Sequence, residues 1–328
     1  MDFDRARLLA KVARLYYEND MTQAEISERL RLSRQRVQRL LSDARQEGIV
    51  NISIHPIMGT FSELERSLEK QFDLSEALVV ETSDPENQNT ITREVGAGAA
   101  EYLARLIRPK DKVVLSWGRS LLGMVNALAS RTRVQLPELR LIQGLGNLGD
   151  PNTAMHGGEL VRRAARALGA KPILFPAPAI AASTAVRDAL YADPYVSHTL
   201  DLARSSDVAL VGIGSSDSDS RAVPDLWQYL PPAALPNLLA KGAVGSINLR
   251  YFGADGCLVA SEINDRVIGL TLEEMRKIPR VVGIAGGPGK VKAIDAALRA
   301  RLIDVLVTDH ITAIQLLGKS QSSGSWPG

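Results

Sequence analysis

Apolar positions in the first fifty residues recur at helical spacing in three short runs. Leu8, Leu9, Val12, Leu15 and Tyr16 share one face of a predicted helix over 5–18. Two more helices, separated by a tight break, fill 22–46. Thr22 is placed to cap the first, with Glu25 completing a capping box. Ala24, Ile26 and Leu30 supply its inner face, and Leu32 anchors the turn. Ser33 caps the second, whose Val37, Leu40, Leu41 and Ala44 lie on one side. Gly48 then permits a left-handed end. Over 49–54 apolar and polar residues partly alternate, which fits either the wing of a winged helix or a plain exit strand.

A further helix is predicted over 61–72, with Phe61, Leu64, Leu68 and Phe72 on one face. From residue 76 the period changes. Short β-rich runs at 77–81, 112–116, 139–143, 172–175, 208–212, 243–251, 281–285 and 305–308 alternate with helical runs near 91–107, 119–130, 157–168, 187–203, 232–240, 290–301 and 310–317. That alternation predicts an α/β domain built on a mainly parallel, Rossmann-like sheet. The expected division is 1–56 as a winged helix-turn-helix, 57–75 as a linker helix, 76–319 as a ligand-binding and oligomerisation domain, and 320–328 as a disordered tail.

Charge changes the picture for the second helix of the N-terminal pair. From Arg29 to Arg45 six arginines face a single acid, Asp43, for a local charge of +5, while the whole chain carries only +2. The basic signal is therefore local. A helix-turn-helix sends the start of its second helix into the major groove, which puts Ser33, Arg34, Gln35 and Arg36 nearest the DNA, with Gln38 and Arg39 a turn later and Thr22 and Gln23 opening the preceding helix. Arginine and glutamine can bond bidentately to guanine and adenine edges. The plain alternative is a solvated basic face on a helical hairpin. DNA readers of this kind often pair on two half-sites, so the 61–72 stripe is expected as a seam between copies rather than a face docked on the second domain.

One cysteine, Cys257, excludes an intrachain disulfide framework. The four histidines are scattered, and no metal or cofactor is expected. There is neither a charged-then-apolar leader nor an apolar run of about 20 residues, so a cytoplasmic protein without membrane contact is expected.

Ligands of parallel α/β sheets sit beyond the carboxyl ends of the strands. Five loops there carry suitable chemistry. Trp117-Gly118-Arg119-Ser120 offers a tight turn, a guanidinium and a hydroxyl at a helix start, an arrangement suited to an anion. The 144–149 stretch fits G-x-G-x-x-G literally, but Asp150-Pro151 interrupts it and no acidic residue follows for a ribose, so it is expected as a ligand loop in which Asn147 makes a polar contact. Gly214 and its serine neighbours allow close approach. Gly286-Gly287-Pro288-Gly289-Lys290 lacks the spacing of a nucleotide P-loop, yet Lys290 stands at a glycine-rich helix start. Thr308-Asp309 closes the set, and Asp255-Gly256 has the form of a turn.

A helix-turn-helix followed by Ser116-Trp117-Gly118-Arg119-Ser120, Leu210-Val211-Gly212-Ile213-Gly214, Gly242-Ala243-Val244-Gly245, Ile284-Ala285-Gly286-Gly287 with Lys290-Val291-Lys292-Ala293-Ile294, and Val305-Leu306-Val307-Thr308-Asp309 resembles the SorC family of sugar-responsive bacterial transcription regulators across nearly the whole chain. The resemblance implies an effector domain similar to the sugar-phosphate isomerase, deaminase and CoA-transferase fold, assembled as dimers or tetramers and bound by a sugar, sugar phosphate or polyol. It implies phosphate-side roles for Gly118, Arg119, Ser120 and Lys290, with Gly214, Gly286 and Gly287 beside them, and contacts to sugar hydroxyls from Asn147, Asp255, Asn264 and Asp309. His310 follows Asp309 where the family often has an acid, and Pro288-Gly289 precedes Lys290 where it often has polar residues. The expected function is a DNA-binding regulator of a carbohydrate or polyol operon that pairs with operator DNA. The alternatives are an isomerase- or deaminase-type enzyme with an appended DNA-binding domain, and a DNA-binding protein whose second domain only oligomerises.

Overall fold

The computed structural model describes residues 3–50, 61–131, 135–148, 156–216 and 233–318. The part of the expected wing or exit strand beyond residue 50, the end of the 144–149 loop with Asp150-Pro151, and the 320–328 stretch lie outside them. The chain divides into two units, 1–57 and 58–328.

The first unit is a three-helix core. Helices α1 (Phe3–Tyr17), α2 (Gln23–Leu30) and α3 (Arg34–Gln46) bury Leu9, Val12, Ile26, Val37, Leu41 and Ala44 together. Both expected caps form. Thr22 and Glu25 make the capping box, and the Ser33 hydroxyl accepts from the Arg36 N–H. Arg31 takes φ 52° to end α2, and the Ser27 hydroxyl donates to the Leu32 carbonyl across the turn. Ala24, expected inside, is exposed.

In the second unit, α4 (Ser62–Phe72) is not a seam between copies. Leu64, Leu68 and Phe72 enter the unit's own core. The helix also solves an edge problem. Strand β1 (Glu76–Val80) is the last of a seven-stranded sheet, and its outward N–H groups would be open to pairing with another chain. The Glu69 carboxylate accepts from the Ala77 N–H at 3.0 Å, and Glu65 from the Val79 N–H at 2.9 Å.

The sheet continues with β2 (Lys112–Leu115), β3 (Arg140–Gln143), β4 (Lys171–Ile173), β5 (Val208–Gly212), β9 (Val281–Ile284) and β10 (Val305–Asp309), ordered β1-β10-β9-β5-β2-β3-β4 and parallel throughout. Helices α5 (Gln88–Leu106), α6 (Arg119–Arg131) and α7 (Gly157–Leu168) cover one face. The other is covered by α4, α9 (Pro194–Arg204), α13 (Val291–Arg299) and α14 (His310–Leu316). Helices α5 and α6 approach closely enough that a Cβ at Gly96 would lie 2.6 Å from the Gly123 carbonyl carbon.

Two predicted elements split. The 187–203 helix is α8 (Thr184–Ala192) followed by α9, because Asp193 caps the new helix and Pro194 takes its first position. The 243–251 strand is a hairpin. Strands β7 (Gly245–Ile247) and β8 (Arg250–Phe252) are joined by Asn248 and Leu249 at φ 51° and 59°, and they extend β6 (Gly214–Ser215) into a small antiparallel sheet. Both turn residues have positive φ, as a two-residue hairpin of the right twist requires, but no glycine announces it. The described residues also include three short helices: α10 (Ala234–Ala240), α11 (Glu262–Arg266) and α12 (Leu272–Met275). The last two were not expected from the sequence.

The fold generates two predictions. Gly96→Ala should destabilise the protein by about 1–3 kcal/mol, because backbone rather than a flexible side chain must yield, as read by the denaturant midpoint. Burial raises the Glu65 carboxyl above its usual range, with Glu69 and Glu76 adding repulsion against the Val79 bond. The folded state then holds this proton more tightly than the unfolded chain, so stability rises as pH falls through the raised value towards 4.5. Glu65→Gln should remove that increment in denaturation curves taken across the window.

Candidate functional sites

The candidate DNA-facing surface is built first by α3. Val37, Leu40, Leu41 and Ala44 turn inwards, which leaves Ser33, Arg34, Gln35, Arg36, Gln38 and Arg39 exposed on the same helix. Thr22 is exposed and Gln23 half-buried at the start of α2. Arg5 of α1 bonds Asp43 at 2.8 Å and also pairs with Glu47, so the acids at the end of α3 are matched internally. The two carboxylates hold the Arg5 guanidinium above its ordinary pKa, Glu47 contributing most. The front of α3 thus presents exposed arginines with the acids of its far end paired to Arg5, a composition suited to phosphates and base edges.

The second site lies at the carboxyl edge of the large sheet. Strands β10, β9, β5 and β2 are consecutive neighbours, so the loops after them share that edge. Ser120 is 5% exposed and Lys290 6%, each at a helix start. Gly118 takes φ +127°, and Gly287 takes φ +105°, conformations that side chains rarely adopt. The loops after β2 and β5 adjoin: Ser116 N–H donates to the Leu210 carbonyl at 3.0 Å, and a Cβ at Gly212 would lie 3.4 Å from the Trp117 carbonyl oxygen. Gly214 begins β6 on the same side. Arg119 opens α6 and is half-buried.

Asp309 sits at this edge with no exposed surface, but its lone pairs are engaged. Oδ2 accepts from the Gly287 N–H at 2.9 Å and the Thr312 hydroxyl at 2.6 Å, and Oδ1 from the Thr312 N–H at 2.8 Å. It therefore positions the Gly286-Gly287 loop. A Cβ on Gly286 would strike this carboxylate and close on Val95.

Three other residues expected at sugar hydroxyls are placed elsewhere or occupied. Asn147 donates to the Phe175 carbonyl at 3.0 Å and accepts from Gln143 Nε2 at 2.9 Å, which ties the β3 and β4 loops together. Asn264 is buried, donates to the Tyr251 and Val259 carbonyls and accepts from the Tyr251 N–H. Asp255 closes a turn by accepting from the Cys257 N–H at 3.0 Å. The adjacent Gly256 abuts Ala300, so Asp255 lies towards the far end of α13 from Lys290.

Sequence reading missed Gln88 and Thr92 at the start of α5. Gln88 Nε2 donates to the Gly286 carbonyl at 3.0 Å and the Thr92 hydroxyl at 3.3 Å. The polar run Asn87-Gln88-Asn89-Thr90 was the available signal. Asn248, at the hairpin tip, accepts from the Ser116 hydroxyl. Behind it Arg250 is buried and donates to the carbonyls of Asn264, Val267, Gly269 and Leu270. Burial lowers its guanidinium pKa, partly offset by the Tyr191 hydroxyl. Among the described residues no group of three or more His, Cys, Asp or Glu could hold a metal ion, and no helix is long and apolar enough to cross a membrane.

A capped arginine-rich helix in one unit and a parallel sheet with polar helix starts along its carboxyl edge in the other define a ligand-responsive DNA-binding regulator. Comparison with known proteins gives the same class. Residues 57–318 match the Sugar-bind family, a sugar-binding domain, and residues 10–47 match sigma-70, region 4. The chain is 32% identical over 311 residues to the transcriptional regulator LsrR of Escherichia coli (strain K12), covering 94% of each chain. It is 29% identical over 317 residues to the deoxyribonucleoside regulator of Bacillus subtilis (strain 168), covering 97% of this chain and 99% of the relative. The crystal structure of the full-length sorbitol operon regulator SorC from Klebsiella pneumoniae aligns with a TM-score of 0.72 at 31% identity, over 96% of this chain and 99% of that one. The chain belongs to the SorC family of sugar-binding transcriptional regulators. These relatives are named as regulators, not enzymes, and the enzyme alternative falls with that.

The exposed face of α3 makes a direct prediction. Arg39→Ala should cost about 1–3 kcal/mol of operator affinity and leave the melting temperature unchanged, as read by fluorescence anisotropy beside a thermal melt. Full affinity in that variant would mean the reading face lies elsewhere.

Proposed function

We propose that the protein regulates a carbohydrate or polyol operon from the cytoplasm, binding operator DNA through α3 as a dimer or tetramer. A sugar, sugar phosphate or polyol at the carboxyl edge of the large sheet controls it. One observation carries the effector site: Lys290 and Ser120 are nearly buried at two helix starts that share the edge where Gly118, Arg119, Gly214, Gly286 and Gly287 also lie. Buried cations and helix N-termini favour a phosphate. The names of the sorbitol operon regulator and the deoxyribonucleoside regulator support the ligand class. Asn147, Asn264 and Asp309 then shape the frame around this pocket through their own hydrogen bonds, while Asp255 closes a turn away from it.

The ligand acts through a coupling free energy: it favours one arrangement of the assembly and so alters the affinity for DNA. A thermal-shift panel of pentoses, hexoses, polyols and their phosphates tests this. A cognate ligand at about a hundred times its Kd adds about 2.7 kcal/mol to stability. Lys290→Ala should weaken a phosphorylated binder by roughly tenfold or more and its unphosphorylated analogue much less. Equal losses for both would remove the phosphate role.

A further inference from the structure

Asp309 and His310 are consecutive, yet they face different parts of the unit. Asp309 holds the Gly287 N–H in the loop proposed to meet the effector. His310 opens α14, and its Nδ1 accepts from the Thr82 N–H at 3.2 Å, just beyond β1. The same ring stacks on Phe61, with centroids 5.1 Å apart and planes inclined by 12°. Phe61 immediately precedes α4 and is the first described residue after the 51–60 stretch that joins the two units. No side-chain cap bond holds that end of α4. Gln71 Nε2 reaches the Leu316 carbonyl at 3.3 Å, so α4 and α14 are tied at their other ends as well.

We propose that the Phe61–His310 stack is the joint through which the state of the Gly287 loop reaches the chain leading to the DNA-binding unit. Phe61 and His310 act as positioning residues, and the inference rests on the reading of the carboxyl edge as the effector site. The path is short and covalently continuous at its centre. Movement of the Gly287 N–H displaces the Asp309 carboxylate, Asp309 carries His310 at the start of α14, and the His310 ring carries Phe61. The first link is a buried hydrogen bond, the second a peptide bond and the third a half-buried aromatic pair, so displacement on one side is followed on the other.

Hydrogen exchange of the full-length protein tests the joint without any ligand. In Phe61→Leu, which keeps an apolar side chain but removes the ring, exchange at Thr82, Gly287 and Thr312 should quicken about two- to tenfold, the equivalent of one aromatic pair. Phe61→Tyr, which keeps the ring, should match the parent. Acceleration confined to residues 61–65 would overturn the proposal. So would an equal acceleration in β5, because that signals general loosening rather than a path. The same measurement with glucose 6-phosphate or inorganic phosphate keeps the two readings apart. Protection of 286–291 in both parent and Phe61→Leu places an anion at the loop whatever the joint does. Absence of protection in both counts against the effector site alone, and the ligand-free comparison still decides the joint.

Discussion

At the carboxyl end of β10 a carboxylate with no exposed surface is held by the Gly287 N–H, the Thr312 N–H and the Thr312 hydroxyl. Burying a carboxyl group is tolerable only when hydrogen-bond partners replace the water it loses. Asp309 therefore fixes everything that supplies those donors: the turn after β9, the first turn of α14 and, through the chain, His310. The glycines of that turn follow as a consequence. Position 286 has no room for a side chain beside the carboxylate, and position 287 has the backbone conformation that glycine alone enters cheaply. Lys290 owes its place at the following helix start to the same bonds.

The sheet order extends this local arrangement into a site. Because β2, β5, β9 and β10 are neighbours, a cation, a hydroxyl and two glycine turns from positions 118 to 290 line one edge. The packing of Gly96 against Gly123 sets α6 hard against α5, so that the helix starts carrying Ser120 and Gln88 belong to one face. At the far side, Glu65 and Glu69 occupy the outward N–H groups of β1. That blunts an edge that would otherwise pair with another chain, and it makes α4 a part of the effector unit rather than a tether.

The DNA-binding unit follows a simpler logic. Among the described residues its core is nine buried side chains from three helices, and the exposed residues between them carry the charge. Arg5 pairs with Asp43 and Glu47 at the far end of α3, while the front of the helix is basic and amide-bearing. The side chains proposed to read DNA are thus ones whose exposure follows directly from the helical period.

That difference marks what was legible in the sequence. The capping box at Thr22, the Ser33 cap, the inward Val37, Leu40, Leu41 and Ala44, and the alternation of strands with helices were all readable, because each depends on residues within one or two turns of one another. The positions of Gly118, Gly287 and Lys290 at helix starts were readable for the same reason. The assignments of Asn147, Asn264 and Asp309 were not, because whether an amide or a carboxylate has lone pairs to spare depends on partners brought from distant strands. The hairpin at Asn248-Leu249 escaped because tertiary contact, not a glycine, supports its positive φ. Local periodicity determined the elements and the basic helix. Only the tertiary structure decided which polar groups are spent on the fold and which are left to meet a ligand.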